Sequence, residues 1–217
     1  MYFVATTAAS VSPAFQGGWI STANAARRSL ATSKAAATET LQGTLGGNIN
    51  DNALAVQLIS PPLNGAQSVT GTYSLVSRVR ELDVADNINK RWRMVYVVSL
   101  DGSTLRGTSV TNAATASTAE FSTSLTGQQH ATGGTLSTVN ALDGDRIVVE
   151  MGFGESTTGT SPIWETVLGG NGTDHANANG DTTGTVPWVE FSPDFLFDPE
   201  PFAPKSPLMV SQYAGLF

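Results

Sequence analysis

The side chains of this chain best suited to chemistry are few. Two histidines, His130 and His175, sit among Gly, Thr and Asn residues, and no G-x-S-x-G elbow accompanies them. A serine triad needs a histidine held beside a nucleophile, so this context predicts exposed loop histidines with no catalytic role. Glycosidase chemistry asks only for two carboxyl groups about 5–10 Å apart, and Glu150 and Glu190 are the candidates. Alternation turns each away from its apolar neighbours, which predicts a solvated outer face for both. The segment Gly169-Gly170-Asn171-Gly172-Thr173-Asp174-His175-Ala176-Asn177 fits one copy of a calcium-binding β-roll repeat. That repeat binds calcium between stacked copies, so a lone copy supplies half a site and no structural calcium is expected. Of the four tryptophans, Trp92 and Trp188 lie in apolar runs that predict core positions, whereas Trp19 and Trp164 are candidates for surface stacking on a sugar. No catalytic, cofactor-binding or metal-ligating set is assigned.

The elements that must position these residues read as strands. Val69, Gly71, Tyr73, Leu75, Ser77 and Val79 alternate with polar residues, as do Trp92, Met94, Tyr96, Val98 and Leu100, and then Ile147, Val149, Met151 and Phe153. Period two is the signature of a strand with one buried face. It predicts a core centred on Tyr73, Leu75, Trp92, Met94, Tyr96, Val98, Ile147, Val149 and Met151, with Arg91 and Arg93 turned outward. Asp101-Gly102 and Asp143-Gly144-Asp145 supply hairpin turns. Shorter strands are expected at 2–5, 14–20, 38–45, 54–60, 104–110, 118–123, 135–140, 163–168 and 186–192. In the Ala-rich stretch 23–37 a short helix, capped by Ser21 or Thr22, competes with an irregular strand. The fold class is therefore all-β, an antiparallel two-sheet sandwich with jelly-roll-like connectivity.

The absence of cysteine excludes disulfides and thiolate metal sites, leaving packing to stabilise the 217-residue chain. Charge is uneven: residues 1–142 hold nine Lys/Arg against seven Asp/Glu, and residues 143–217 hold two against eleven. Without a basic, aromatic-studded patch, such a surface disfavours nucleic acid. Met1-Tyr2-Phe3-Val4 lacks a basic n-region, and no window reaches membrane-spanning length, so synthesis in cytoplasm without membrane insertion is expected. The sequon Asn171-Gly172-Thr173 carries little weight on its own.

Composition shifts at residue 193. Residues 193–217 contain five of the ten prolines and four of the nine phenylalanines. Prolines forbid regular ladder pairing, while the apolar side chains need a surface to cover them. The boundary divides a sandwich domain, 1–192, from an extended assembly arm whose anchors are Phe195, Phe197, Phe202, Leu208, Met209, Tyr213 and Phe217. The arm is expected to cross to another subunit.

Residues 13–192 resemble a group of β-sandwich proteins encoded among the virion genes of tailed bacteriophages. The resemblance rests on Pro13-Ala14-Phe15 followed by Trp19, on Ser60-Pro61-Pro62-Leu63, and on the hairpin Asp101-Gly102-Ser103-Thr104-Leu105-Arg106-Gly107-Thr108. It continues through Gly144-Asp145-Arg146-Ile147-Val148-Val149-Glu150 and closes on Pro187-Trp188-Val189-Glu190-Phe191-Ser192. It implies a non-enzymatic virion component, a capsid decoration protein first and a tail protein second. The implied partners are the major capsid protein or tail proteins, with self-association, and the implied location is the virion. Two other classes stay open on the residues alone: a carbohydrate-binding module of an adsorption apparatus using Trp19 or Trp164, and a two-carboxylate glycoside-active enzyme.

Overall fold

A computed structural model describes residues 1–48, 51–115, 120–155 and 161–198, with the side chains of 3–6 left aside. It contains eleven strands and, among the described residues, no helix. The strands are β1 (Tyr2–Ala8), β2 (Ala26–Ala31), β3 (Ala35–Thr44), β4 (Asn52–Ile59), β5 (Gln67–Glu81), β6 (Ile88–Val98), β7 (Leu105–Thr115), β8 (Thr126–Ala141), β9 (Arg146–Glu155), β10 (Ile163–Gly170) and β11 (Trp188–Phe191). Hydrogen bonds link them in the order β3-β10-β5-β11-β1-β2-β4-β9-β6-β7, with β8 on the other edge of β5. The ladder folds over on itself. Tyr73, Leu75, Leu136 and Trp164 from one layer meet Val56, Val97, Val149 and Phe153 from the other in a shared core, the arrangement of a β-sandwich.

All pairings between these strands are antiparallel except β2 with β4, which runs parallel from Ala26↔Val56 to Ser29↔Ile59. The exception to the expected antiparallel pattern has a topological cause. After β2 the chain leaves for β3, which pairs only with β10, and it returns to lay β4 beside β2. In the Ala-rich stretch the strand prevails over the helix, giving β2 and the start of β3. Residues 14–20 form no strand, and 120–125 form none either, although Phe121 is buried against Phe153.

The expected core needs one correction. Tyr73, Leu75, Ile147, Val149 and Met151 lie in the main core as expected. On β6 the parity is the reverse: Val95 and Val97 face the main core, while Met94, Tyr96 and Val98 form a second cluster with Ile59 and Val148 on the opposite face. Trp92 is only half-buried, and Arg91, expected outside, is fully buried. The second face is apolar because residues 9–20 cover it, with Ala9 and Val11 packed against the cluster. A strand covered on both faces shows no polar alternation, and β4 and β9 are buried along their whole length.

Candidate assembly surface

The segment after β11 lies on the sandwich of its own chain. Ser192 N donates to Thr72 O at 2.8 Å, and Thr72 N to Ser192 Oγ at 2.9 Å. A Cβ on Gly71, whose φ is +91°, would lie 2.5 Å from that Ser192 oxygen, so close approach and backbone conformation both call for glycine. Further on, Asn64 N donates to Leu196 O and Asp198 N to Pro62 O. The Gln67 amide donates to Leu196 O at 2.7 Å and accepts from Leu196 N at 3.0 Å. These bonds replace the ladder that Pro193 interrupts.

Aromatic side chains run along the same path. Tyr73 stacks near Phe191 with centroids 6.5 Å apart, Phe191 meets Phe195 edge-on at 5.5 Å, and Phe195 meets Phe197 at 6.4 Å. Phe195 and Phe197 are half-buried against the core, and Leu196 points outward at 64% exposure. The expected crossing to a neighbour therefore does not begin at residue 193. Phe195 and Phe197 dock within the chain, because the 62–67 loop presents both a free backbone edge and Gln67. Phe202, Leu208, Met209, Tyr213 and Phe217 lie outside the described residues.

Beside the docked segment lies an open, mostly apolar groove of about 580 Å³. Its walls are Leu30, Ala31 and Pro61 on one side and Phe195, Phe197 and Asp198 on the other. The chain leaves the described structure at Asp198, on the rim of this groove.

The residues singled out for chemistry sit elsewhere, several of them buried against expectation. Glu150 is fully buried and its carboxylate is filled with donors. Oε1 accepts from Gln16 N at 3.0 Å, Gln57 Nε2 at 3.2 Å and Tyr96 OH at 2.8 Å. Oε2 accepts from Gly17 N at 3.0 Å and Trp19 Nε1 at 2.6 Å. The approach is close enough that a Cβ on Gly17 would lie 2.5 Å from the indole nitrogen. Burial, then the neighbouring charge of Glu150, push the Tyr96 phenol far above its ordinary range. Glu190 is exposed on β11, beside Met1 and Trp188 in a small polar pocket. Glu150 takes part only in the knot that fastens residues 14–19, and the two carboxylates share no site.

Both histidines are buried, which corrects their expected exposure, and only His175 lies in a loop. His130 lies in β8, where its Nε2 is 3.0 Å from Ser77 Oγ, and burial followed by the charge of Arg91 holds its pKa well below the usual histidine range. A serine beside a histidine has the spacing of a nucleophile and its base, yet both side chains are fully buried. Arg91 lies nearby, bonded to Gln128 and stacked over Phe121 at 5.0 Å. Burial lowers its pKa to about 10. His175 pairs through Nδ1 with Asp181 Oδ2 at 3.2 Å. Asp181 also accepts from the backbone N–H groups of Ala176, Thr183 and Gly184. It thereby organises the 169–184 loop from within. Asp174, the calcium-repeat aspartate, pairs instead with Lys34 at 2.9 Å. Among the described residues no group of three or more His, Asp or Glu side chains is arranged to hold a metal ion.

The tryptophans also exchange places. Trp164 is fully buried, 5.4 Å from the Phe153 ring, so its reading as a surface sugar contact is overturned: β10 packs inward between β3 and β5. Trp19 is half-buried, with its N–H committed to Glu150. A signal for the Glu150 knot was present in the sequence, since a lone carboxylate inside the run Ile147–Phe153 implies a buried, paired group.

No protein-family model matches the chain, and no curated protein matches it. Among solved structures it is similar to the crystal structure of a CocE/NonD family hydrolase from Staphylococcus aureus, with 10% sequence identity and a TM-score of 0.46. The match covers 75% of this chain and 34% of the hydrolase, so this chain spans about a third of that protein's length. A likeness at this level carries no argument about activity.

Proposed function

We propose that the chain is a non-enzymatic structural subunit of a tailed-bacteriophage virion, placed first as a capsid decoration protein. The observation that carries this reading is the C-terminal arm. It is strapped to its own sandwich as far as Asp198 and then continues into nineteen residues that include Phe202, Leu208, Met209, Tyr213 and Phe217. A sandwich with an apolar extension is suited to joining neighbours in a shell. The resemblance of residues 13–192 to phage virion proteins points the same way. So does the chemistry of the interior: the serine–histidine pair is closed to solvent, and Glu150 has both oxygens occupied by structural donors. The partners are the major capsid protein or tail proteins, together with further copies of this chain.

The test is electron microscopy of purified particles whose genome encodes the chain, with mass spectrometry of the same preparation. Decoration places sandwich-sized density on the capsid exterior with the capsid's symmetry. Density confined to the tail removes the decoration placement and keeps the virion role. Absence of the chain from purified particles defeats both.

A further inference from the structure

We infer that the groove between β2 and the docked segment is filled by Phe202 of the same chain, so that the strap continues one aromatic residue beyond Phe197. The inference goes beyond the assembly reading and does not depend on it: it commits one anchor within the chain and leaves Leu208, Met209, Tyr213 and Phe217 to meet a neighbour.

Three observations carry it. First, the described part of the arm docks on its own sandwich. Its backbone pairs with the 62–67 loop, and its rings follow one another, Phe191 to Phe195 at 5.5 Å and Phe195 to Phe197 at 6.4 Å. Second, the groove lies open beside the last of these rings, about 580 Å³ with Leu30, Ala31 and Pro61 facing Phe195 and Phe197. An apolar groove left in water calls for an apolar occupant. Third, Asp198 is itself a wall residue, and Phe202 is the next aromatic residue, four positions on. Four residues span at most about 14 Å in any conformation, so the ring stays near the groove whatever path the chain takes. A tether this short sets an effective concentration on the order of millimolar, about a thousandfold above that of a free copy at micromolar concentration. Leu208 and the residues beyond it hang on longer tethers, and effective concentration falls with tether length. The occupant is thus Phe202 of the same chain.

The chain has no cysteine, so a pair of cysteines introduced into the full-length protein reports the contact. Thr32→Cys stands on the groove wall, where Thr32 is exposed, and Ala203→Cys adjoins Phe202 without altering it. Equilibration with glutathione measures the effective concentration of one thiol at the other. For this pair it is expected to reach at least about 1 mM. Adding Phe202→Ala to the double variant is expected to lower it at least about tenfold, as the loss of one buried phenyl ring implies. A value that Phe202→Ala leaves unchanged overturns the docking, because it then reflects the tether alone. Oxidation of an equimolar mixture of isotopically labelled and unlabelled double variant, read by peptide mass spectrometry, separates contact within a chain from contact between copies. Crosslinked peptides of uniform label are expected; a majority of mixed label would place the ring in a neighbour's groove and overturn the inference. Thermal melts under reducing conditions check that the sandwich remains folded, and Thr7→Cys, on the same groove wall, replaces Thr32→Cys if the latter lowers the melt. All of this is read on the purified chain, so its absence from virions would defeat the virion reading and leave this contact standing.

Discussion

Trp19 donates its indole N–H to Glu150 Oε2 over 2.6 Å, joining residues 131 positions apart. This bond is one of five to the same buried carboxylate, and together they hold residues 14–19 over the outer face of β4, β6 and β9. Replacing Glu150 by Gln keeps the shape but turns one acceptor oxygen into a donor. At least Gly17 N and Trp19 Nε1, or the three donors on Oε1, then lose their acceptor. Each stranded buried donor costs about 1–3 kcal/mol, so with two stranded, Glu150→Gln is expected to lose about 2–6 kcal/mol in urea denaturation. An unchanged midpoint would show that the knot is not a stabilising element.

Trp164 replaces Trp92 as the tryptophan on which the core depends. It is fully buried beside Phe153, whereas Trp92 is half-buried. Trp164→Ala should cost about 3–5 kcal/mol, as large aromatic truncations do, and Trp92→Ala distinctly less. Guanidinium melts of the two variants rank them, and the reverse order is incompatible with the packing described.

The contrast between these two residues shows what was legible in the sequence. Strands β5 and β9 could be read because polar residues mark one face of β5 and because Gly144 and Asp145 punctuate the start of β9. On β6 both parities are apolar, and the sequence carries no local sign that residues 9–20 would cover one of them. That cover is a long-range event, fixed by Glu150, Gln57 and Tyr96 on three different strands. His130 escapes the sequence for a related reason: its Gly and Thr neighbours suggest a loop, yet they lie in β8, a long antiparallel partner of β5, with His130 fully buried beside Phe153. Composition marks a change at residue 193, but it does not reveal that Gln67 and the 62–67 backbone hold residues 195–198 in place.

That strap gives a further prediction. Phe197 is half-buried and its backbone pairs with Leu63. Phe197→Ala should lower stability by only about 1–2 kcal/mol, in proportion to a partly buried ring, while leaving unfolding cooperative. Its local effect is larger: hydrogen exchange at the Asn64, Leu196 and Asp198 amides should accelerate well beyond the global change. Equal acceleration across the β9 amides would mean that the segment is part of the core rather than a strap on it.

Glu81 supplies a pH signature whose sign can be worked out. It is buried at the end of β5, and burial first, with the nearby carboxylates of Glu120, Asp86 and Asp83 adding to it against the hydrogen bond from Ile88 N, raises its pKa from 4.5 to about 7. Glu155 is shifted in the same direction, again by burial first and then by Asp51. A carboxyl whose folded pKa is raised contributes stability that is fully present below the unfolded value and is lost as pH rises through the folded one. For Glu81 the window runs from about pH 4.5 to about pH 7. The two buried histidines, with lowered pKa values, act with opposite sign, because the unfolded state gains protons on them as pH falls. The wild-type profile therefore mixes both effects, and the informative quantity is the difference between wild type and Glu81→Gln. Gln preserves the shape of the protonated acid, so the variant should melt close to wild type at pH 4.5. At pH 8, where wild type must either ionise Glu81 in a buried site or hold its proton at a cost, the variant should melt higher. Thermal melts across pH 4.5 to 8 measure that difference, and a gap that does not widen with pH removes Glu81 as the titrating group.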